Sequence, residues 1–203
     1  MKLYYKTGAC SLSPHIVLHE LGAPFEIEAV DTATKVTASG ADFTKINPKG
    51  YVPALILDDG TLLTEGPVIV QYLADLHPEK DVAPKNGTMA RLTLQEHLNH
   101  LTSEYHKSFN ALFGPTSDDV KAWGRARVEK ALTYYENLFS DGRAYLMGDK
   151  FSVADAYLFT VTNWCKFVGV KVEDYPKMAA FMARMKERPA VQAALRAEGL
   201  LKG

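Results

Sequence analysis

Cys10 provides the best nucleophile in this chain of 203 residues. It follows a short apolar run at residues 2–5 that is typical of a buried strand, and Thr7-Gly8 interrupts that run. Residues 11–14 include types that often begin helices, so we predict that Cys10 lies at a turn between a strand and a helix. At such a position, unpaired backbone N–H groups and the helix dipole favour the thiolate and lower the pKa of the thiol. A lone cysteine is more often inert and buried, and its place before a helix favours the reactive interpretation.

A second group of polar residues lies on a long helix predicted from Thr88 to about Phe113. At about 3.6 residues per turn, this helix carries an apolar stripe and, roughly 140° away, a stripe that is polar but uncharged. The apolar stripe consists of Leu94, Leu98, Leu101, Tyr105, Phe109 and Leu112, and the polar one of Asn99, Ser103, His106 and Asn110. Because a solvated face usually carries Lys and Glu, the polar stripe indicates a face that contacts something. His106, with Lys107 beside it, then fits a ligand or catalytic role as well as a structural one.

Two turns carry residues suited to a ligand that is recognised by backbone groups. Segment 47–53 leads into a strand, and a cis Pro53 there would expose the N–H and C=O of Val52, although a trans proline is the more common alternative. Glu65, Gly66 and the proline after them open a helix whose N-terminus can receive an anion. Gly66 leaves room for close backbone approach. Glu65 either accepts from a ligand ammonium group or only caps its own helix.

The elements that position these residues follow from periodicity and turn signals. The chain begins with a strand and a helix, and residues 24–30 alternate as in a half-buried strand. Residues 31–45 are predicted to form a loop with a short helix near 42–45. Lys35 projects from this loop, where a solvated lysine is the usual case. Residues 58–60 predict a hairpin turn before the helix that follows Glu65.

The rest of the chain is predicted to be helical after a linker within residues 77–87, which is rich in proline and charge. Ser152 and Asp155 form a capping box that begins one of these helices. The predicted helices are Thr88 to about Phe113, Ser117 to about Phe139, Ser152 to about Phe167, Pro176 to about Arg188, and Pro189 to about Glu198.

Composition excludes several classes of function. The 23 basic and 24 acidic residues nearly balance, which argues against a nucleic acid or membrane partner. Cys10 and Cys165 lie far apart in sequence, which indicates a reducing compartment and no disulfide scaffold. No apolar run approaches the ~20 residues of a membrane span, and no signal peptide pattern begins the chain. We therefore predict a cytoplasmic protein, and we predict no metal site.

Five segments in this order resemble the cytosolic glutathione transferases across essentially the whole chain: residues 8–15, 47–53 and 64–66, the pair His106-Lys107, and residues 152–155. The resemblance implies an α/β thioredoxin-like N-terminal domain at residues 1–80, which binds glutathione. It also implies an all-α C-terminal domain at residues 88–203, which binds the electrophile. Glutathione is then a co-substrate, and no other cofactor is expected.

The cysteine at position 10 is similar to that of the bacterial beta class and implies that Cys10 faces the glutathione sulfur. Ser11, His106 and Lys107 are the other candidate catalytic residues, and Trp164 is expected to wall the electrophile pocket. Leu201 stands where some family members have a further lysine, and Lys202 follows it. The residues expected to contact glutathione are Cys10, Lys35, Val52, Glu65, Gly66, Asn99, Ser103, Glu104, Tyr105 and His106.

The favoured function is conjugation of glutathione to small hydrophobic electrophiles, with Cys10 able to form a mixed disulfide with glutathione. One alternative uses the same site for glutathione-dependent thiol-disulfide exchange or reductive dehalogenation. Another is a non-catalytic binding module, against which the combination of Cys10, Glu65, Gly66 and His106 argues. We also expect a homodimer that joins the first domain of one subunit to the helical domain of the other, covering apolar surface near Leu94 and Leu98.

Overall fold

The computed structural model describes residues 1–201, which divide into two units. The first unit contains residues 1–81 together with the segment that begins at Arg188, and the second contains Val82–Glu187. The predicted domains ran from 1 to 80 and from 88 to 203. The observed units differ mainly in the last helix, which belongs to the first unit because it packs against the first helix of the chain.

The first unit is built on a five-stranded mixed sheet. Its strands are β1 (Lys2–Tyr5), β2 (Glu26–Asp31), β3 (Val36–Thr37), β4 (Ala54–Ile56) and β5 (Leu62–Thr64). They lie in the order β3-β2-β1-β4-β5, in which β1 is parallel to β2 and antiparallel to β4, while β3 and β5 pair antiparallel at the edges. Strand β3 lies in the segment that the sequence predicted as loop.

Most helices of both units lie close to their predicted positions, but the helix predicted after Thr88 is interrupted and the one predicted from Ser152 to about Phe167 ends as an α-helix at Thr162. The α-helices are α1 (Leu12–Leu21), α2 (Phe43–Ile46), α3 (Gly66–Leu76), α4 (Met89–His100), α5 (Asn110–Phe113), α6 (Asp118–Leu138), α7 (Val153–Thr162), α8 (Pro176–Glu187) and α9 (Pro189–Ala197). In the first unit, the buried helix α1 packs against α3 and α9, and Phe43 of α2 joins Tyr4, Val30 and Ala54 in a cluster of buried residues.

The long helix predicted after Thr88 is not continuous. Helix α4 gives way to a π-helical segment, Leu101–His106, before the short helix α5. A π-helix bonds each N–H to the carbonyl five residues back, so the wheel computed at 3.6 residues per turn is wrong beyond residue 100. The apolar stripe is nevertheless buried as far as Phe109, while Leu112 is only partly buried.

The capping box at the start of α7 is present and buried. The Asp155 carboxylate is fully buried and accepts from the N–H and the hydroxyl of Ser152, each at 2.7 Å. It also accepts from the N–H of Leu146 at 2.8 Å. This side chain therefore fixes both the helix start and the loop before it.

Within residues 1–201, no helix is both long and apolar enough to span a membrane.

Candidate functional site

Cys10 lies at the predicted turn between β1 and α1 and is partly buried. Its Sγ donates a hydrogen bond to the carbonyl of Val52 at 3.3 Å. The Val52–Pro53 peptide bond is cis. Two segments that the sequence singled out separately, at residues 8–15 and 47–53, therefore meet in the first unit.

At the N-terminus of α1, near Cys10, two N–H groups are paired within the turn. The N–H groups of Leu12 and Ser13 donate to the carbonyls of Ala9 and Cys10, so these groups are not the unpaired donors that the sequence predicted. Ser11 is fully buried, and its hydroxyl donates to the carbonyl of Lys6 at 3.2 Å and accepts from the N–H of the same residue at 3.1 Å. Because the hydroxyl proton is already donated, the predicted catalytic role of Ser11 is not supported, and Ser11 instead closes the turn.

Glu65 and Gly66 begin α3 beside the cis proline. A Cβ added at Gly66 would lie 3.8 Å from Cγ of Pro53, which is ordinary van der Waals contact. Glu65 has a left-handed φ of 70°, unusual for a side chain other than glycine, and makes no capping hydrogen bond to its own helix. Its exposed carboxylate pairs instead with Nζ of Lys49 at 2.6 Å, so the alternative that it only caps α3 is wrong.

Lys35 is more constrained than a solvated surface lysine. Its Nζ donates to the carbonyl of Gly50 at 2.9 Å and lies 5.5 Å from the ring centre of Tyr51. These contacts hold the ammonium group against the segment that ends in Val52. In the first unit, Lys35 thus lies against the residues that immediately precede Val52, one of the predicted glutathione contacts.

Glu198 supports the Cys10 loop and was missed by the sequence analysis. Its buried carboxylate accepts from the N–H of Gly8 at 2.7 Å and lies 2.9 Å from Nδ1 of the buried His15. These contacts tie the segment after α9 to both sides of Cys10. No local signal could have revealed them, because Gly8 and Glu198 are 190 residues apart. Lys202, noted above as a possible additional lysine, lies outside the described residues.

His106 is the best-defined polar group of the second unit. Its Nδ1 lies 2.7 Å from the hydroxyl of Tyr157, and its ring packs edge-on against Trp164 with the centres 4.8 Å apart. Burial, with a smaller contribution from the charge of Lys107, lowers the pKa of His106 to about 4. His106 is therefore neutral near pH 7. Tyr157 of α7 was not among the predicted site residues, although a tyrosine hydroxyl readily forms a hydrogen bond with an imidazole.

Trp164 is buried and contributes to an aromatic cluster. Its ring lies 5.5 Å from that of Phe109 and 5.9 Å from that of Phe113. Phe113 is about half exposed, which makes it a candidate contact for an apolar ligand. The cluster joins the end of α7 to the segment after the π-helix.

The remaining predicted residues of the second unit fall into two groups. Asn99, Ser103, Glu104 and Lys107 are exposed, and Glu104 pairs with Arg127 at 2.5 Å. Tyr105 is fully buried, and its hydroxyl donates to Thr162 at 3.3 Å and lies 3.4 Å from Sγ of Cys165. Its side chain therefore belongs to the core, as the apolar stripe predicted, and the structure does not support it as a glutathione contact.

The two cysteines have different surroundings and are not joined by a disulfide. Burial raises the pKa of the Cys165 thiol to about 11, so Cys165 is unsuited to act as a nucleophile. Among residues 1–201, no three His, Cys, Asp or Glu side chains gather so that they could hold a metal ion.

Comparisons with known proteins bear on the family and the fold of this chain. Residues 7–76 match the family model of the glutathione S-transferase N-terminal domain, and residues 102–189 match that of the C-terminal domain. Glutathione S-transferase GstA of Escherichia coli O157:H7 is 48% identical over 201 residues, covering 98% of this chain and 100% of that protein.

Solved structures give the same result. A bacterial beta-class glutathione S-transferase from Sphingomonas chungbukensis is 44% identical, with a TM-score of 0.96, covering 99% of this chain and 100% of the other. A sphingomonad glutathione S-transferase complexed with glutathione is 46% identical, with a TM-score of 0.95 and the same coverage. The predicted family and fold are thus confirmed, and the chain belongs to the glutathione S-transferase family, in its bacterial beta class.

Proposed function

We propose that this glutathione transferase binds glutathione through the first unit and conjugates it to small hydrophobic electrophiles. The observation that carries the proposal is the hydrogen bond from Cys10 to Val52 beside a cis Pro53, with Gly66 placed so that an added Cβ would lie 3.8 Å from that proline. The Val52 backbone would pair with the cysteinyl backbone of glutathione, and Glu65 and Gly66 would hold its γ-glutamyl end. Lys35 would contribute a positive charge nearby. In this proposal glutathione is a co-substrate, and the reaction uses no cofactor besides it.

The helical unit supplies the remaining groups in this proposal. Its exposed polar residues Asn99, Ser103 and Glu104 would contact glutathione. His106 and Lys107 would act on the glutathione sulfur. A hydrogen bond or a positive charge at the sulfur stabilises the thiolate that attacks the electrophile. The aromatic cluster around Trp164 would contact the apolar electrophile.

The dissociation constant of glutathione for the Glu65→Ala variant tests the placement of the ligand. We expect weaker binding by about tenfold or more, because a charge-assisted contact typically contributes about 1.5–3 kcal/mol. Glu26→Ala is a matched control, because Glu26 is an exposed glutamate of the same unit that lies outside the proposed site. Equal affinities of both variants and the unchanged enzyme would remove this placement.

A mixed disulfide at Cys10 is a second proposed activity. The Cys10 thiolate would attack one sulfur of glutathione disulfide, forming a protein–glutathione disulfide and releasing one glutathione thiolate. Ser13 stands where a Cys-x-x-Cys motif would have its second cysteine, so a second glutathione must resolve the mixed disulfide. The observation in favour is that the Cys10 thiol is only partly buried, at the predicted turn.

Cys10→Ala separates the two activities. We expect it to abolish glutathionylation and disulfide reduction but to spare much of the conjugation, because glutathione supplies its own sulfur as the nucleophile in conjugation. Mass spectrometry of the protein after exposure to glutathione disulfide measures the first, and an aryl halide assay measures the second. Loss of both activities with intact glutathione affinity would show that the role given to Cys10 is wrong.

We further propose a homodimer in the cytoplasm, where a reducing environment preserves the Cys10 thiol. Leu94 and Leu98 are buried within their own unit, so they cannot supply the exposed apolar surface expected near them. Met89 and Leu92 on the same helix are exposed by 76% and 54% and are better candidates for the interface. Sedimentation at micromolar concentration that showed only a 22.4 kDa species would exclude the dimer.

A further inference from the structure

The acidities of the two groups determine which one donates the hydrogen bond between Tyr157 and His106. Tyr157 on α7 is 3% exposed, and its hydroxyl lies 2.7 Å from Nδ1 of His106. A phenol is a much stronger acid than the N–H of a neutral imidazole, and the bare imidazole nitrogen is the better acceptor. The favourable arrangement is therefore O–H···Nδ1, in which Tyr157 donates. A neutral imidazole carries one proton, so that proton resides on Nε2.

We propose that Tyr157 is a positioning residue that holds His106 as the neutral Nε2–H tautomer, which serves as a hydrogen-bond donor to the glutathione sulfur. This inference rests on the proposed function, because it assumes that His106 acts on that sulfur. It excludes His106 as the base that removes the thiol proton, since Nε2 already carries a proton and Nδ1 is occupied by Tyr157.

The surroundings of the ring agree with a fixed donor. The Tyr157 and Trp164 rings both pack nearly edge-on to the imidazole, at 84° and 70°, which restricts its rotation. The charged residue next to it is Lys107, whose charge opposes a second proton on the ring. Burial acts in the same direction and keeps the pKa near 4. A neutral donor stabilises a thiolate without itself being a charge that must be desolvated.

NMR spectroscopy of the whole enzyme in solution tests the tautomer of His106 directly. The six histidines are labelled with ¹⁵N, and the His106→Asn variant identifies the signals of His106. At pH 7 we expect a protonated Nε2 and an unprotonated Nδ1 for His106. A protonated Nδ1, or a doubly protonated ring at that pH, would overturn the proposal.

Kinetics test whether the contact matters for the reaction. In Tyr157→Phe, which retains the aromatic packing, we expect kcat for aryl halide conjugation to fall by about tenfold with little change in KM for glutathione, as for the loss of one buried hydrogen bond. In the His106→Ala background, Tyr157→Phe should cause no further fall. An equal fall in both backgrounds, or none in either, would overturn the positioning role.

Tyr135→Phe is the matched control. The Tyr135 hydroxyl lies 3.0 Å from Nδ1 of His100, so the second unit contains the same pair of groups away from His106. Tyr135 is also fully buried. We expect this variant to reduce stability about as much as Tyr157→Phe while leaving kcat unchanged. A fall in kcat equal to that of Tyr157→Phe would mean that loss of stability explains both, and would overturn the proposal.

The outcomes separate this inference from the proposed function. If His106→Ala left conjugation unchanged, the role of His106 in that function would be wrong and this inference with it. If His106→Ala impaired conjugation but the tautomer or the double variant behaved otherwise than expected, only the inference would be wrong.

Discussion

The two units hold their candidate reactive groups by different means. In the first unit the main chain does most of the positioning: Val52 precedes a cis proline, Glu65 has a left-handed φ, and Gly66 begins a helix. In the second unit side chains do it, since the imidazole of His106 is held by the hydroxyl of Tyr157 and the ring of Trp164.

This difference determines how each unit responds to substitution. Groups presented by the main chain depend on turns, and many side chains around them can change without moving them. A ring held by other rings depends on close packing, where the addition or removal of one methyl group disturbs the neighbouring side chains. Substitutions of side chains that pack against the candidate residues should therefore affect the second unit more strongly than the first.

The largest effect is expected at Asp155. Asp155→Ala leaves three buried donors of Ser152 and Leu146 without their acceptor, and each such group costs about 1–3 kcal/mol. We expect the free energy of unfolding to fall by about 3 kcal/mol or more, compared with the ~1 kcal/mol of an exposed cap. Chemical denaturation measures the loss, and hydrogen exchange should locate it in the second unit.

Asp118→Ala controls for the loss of an acid in the first turn of a helix. Asp118 begins α6 but is exposed, so its removal leaves no buried donor unsatisfied. We expect a change in stability within about 0.5 kcal/mol, which is usual for surface substitutions. Similar losses for both variants would contradict the role given to buried polar contacts in this unit.

A smaller loss is expected at Gly124, where α6 packs closely against α5. A Cβ at this position would lie 2.6 Å from Cβ of Ala111 and 3.2 Å from the carbonyl oxygen of Ser108, so the segment that carries Phe109 and Phe113 would have to move. We expect Gly124→Ala to destabilise the protein by about 1–3 kcal/mol and to impair conjugation of bulky electrophiles.

Ala111→Gly in the same chain removes the closest of these contacts and leaves that with the carbonyl oxygen of Ser108 at 3.2 Å. If steric overlap is the cause, the double variant should recover the electrophile preference of the unchanged enzyme even though the added glycine lowers its helix propensity. Electrophile panels and denaturation of the single and double variants measure this compensation. Strictly additive losses would show that the contact with Ala111 does not set the position of the segment.

Acid should also distinguish the two units. Burial lowers the pKa of His19 in the first unit and of His97, His100 and His106 in the second. A group with a lowered folded pKa binds more protons when unfolded, so its stabilising effect is complete above about pH 6.5 and is lost as the pH falls, for His106 toward about 4. The second unit should therefore open first as the pH falls from 7 to 4.

Hydrogen exchange as a function of pH tests this order, and His106→Asn should make the dependence shallower in the second unit. In the first unit, hydrogen bonds from Lys2 and then Ser39 lower the pKa of Glu28 to about 2. Because that pKa is depressed, the stabilisation by Glu28 is complete above about pH 4.5 and is lost as the pH falls toward 2. Opening of the first unit at a higher pH than the second would contradict the expected order.

The features that the sequence predicted correctly depend on neighbouring residues. The turn at Cys10, the hairpin at residues 58–60 and the capping box at Ser152 each follow from a few adjacent side chains and backbone preferences. The features that it missed depend on distant residues. Glu198 contacts Gly8 across nearly the whole chain, and no local pattern shows such a pair.

In the second unit, prediction from the sequence failed for a different reason. The residues of the π-helical segment, Leu101–His106, also fit an ordinary helical wheel, so periodicity could not reveal the extra residue in the turn. Tyr105 was predicted both as core and as a glutathione contact, and only its burial decides for the core. The tyrosine that contacts His106 lies 51 residues further along the chain and could be found only in the folded structure.

The smallest effect on stability is expected at Gly66, where the first unit provides the sharpest contrast with Gly124. In the described part of the chain, and apart from its chain neighbours and its own helix, a Cβ at Gly66 meets only Pro53, at an ordinary 3.8 Å. Gly66→Ala should therefore change the free energy of unfolding by less than about 1 kcal/mol. The affinity for glutathione should nevertheless fall by about tenfold or more, because the added methyl group occupies space next to the cis proline that the ligand backbone needs. Calorimetric titration and denaturation measure the two quantities separately.

Gly60→Ala is the opposite case, in which stability should fall and glutathione affinity should not. Gly60 lies in the β4–β5 hairpin with a φ of 84°, and within residues 1–201 no atom beyond its chain neighbours lies within 4 Å of an added Cβ. The alanine should therefore cost roughly 1–2 kcal/mol of stability through backbone strain alone and leave glutathione affinity unchanged. If the main chain presents the ligand site, Gly66→Ala will lower glutathione affinity with little change in stability. Gly60→Ala will lower stability with no change in glutathione affinity. Parallel changes in both variants would mean that Gly66 serves the fold and not the ligand.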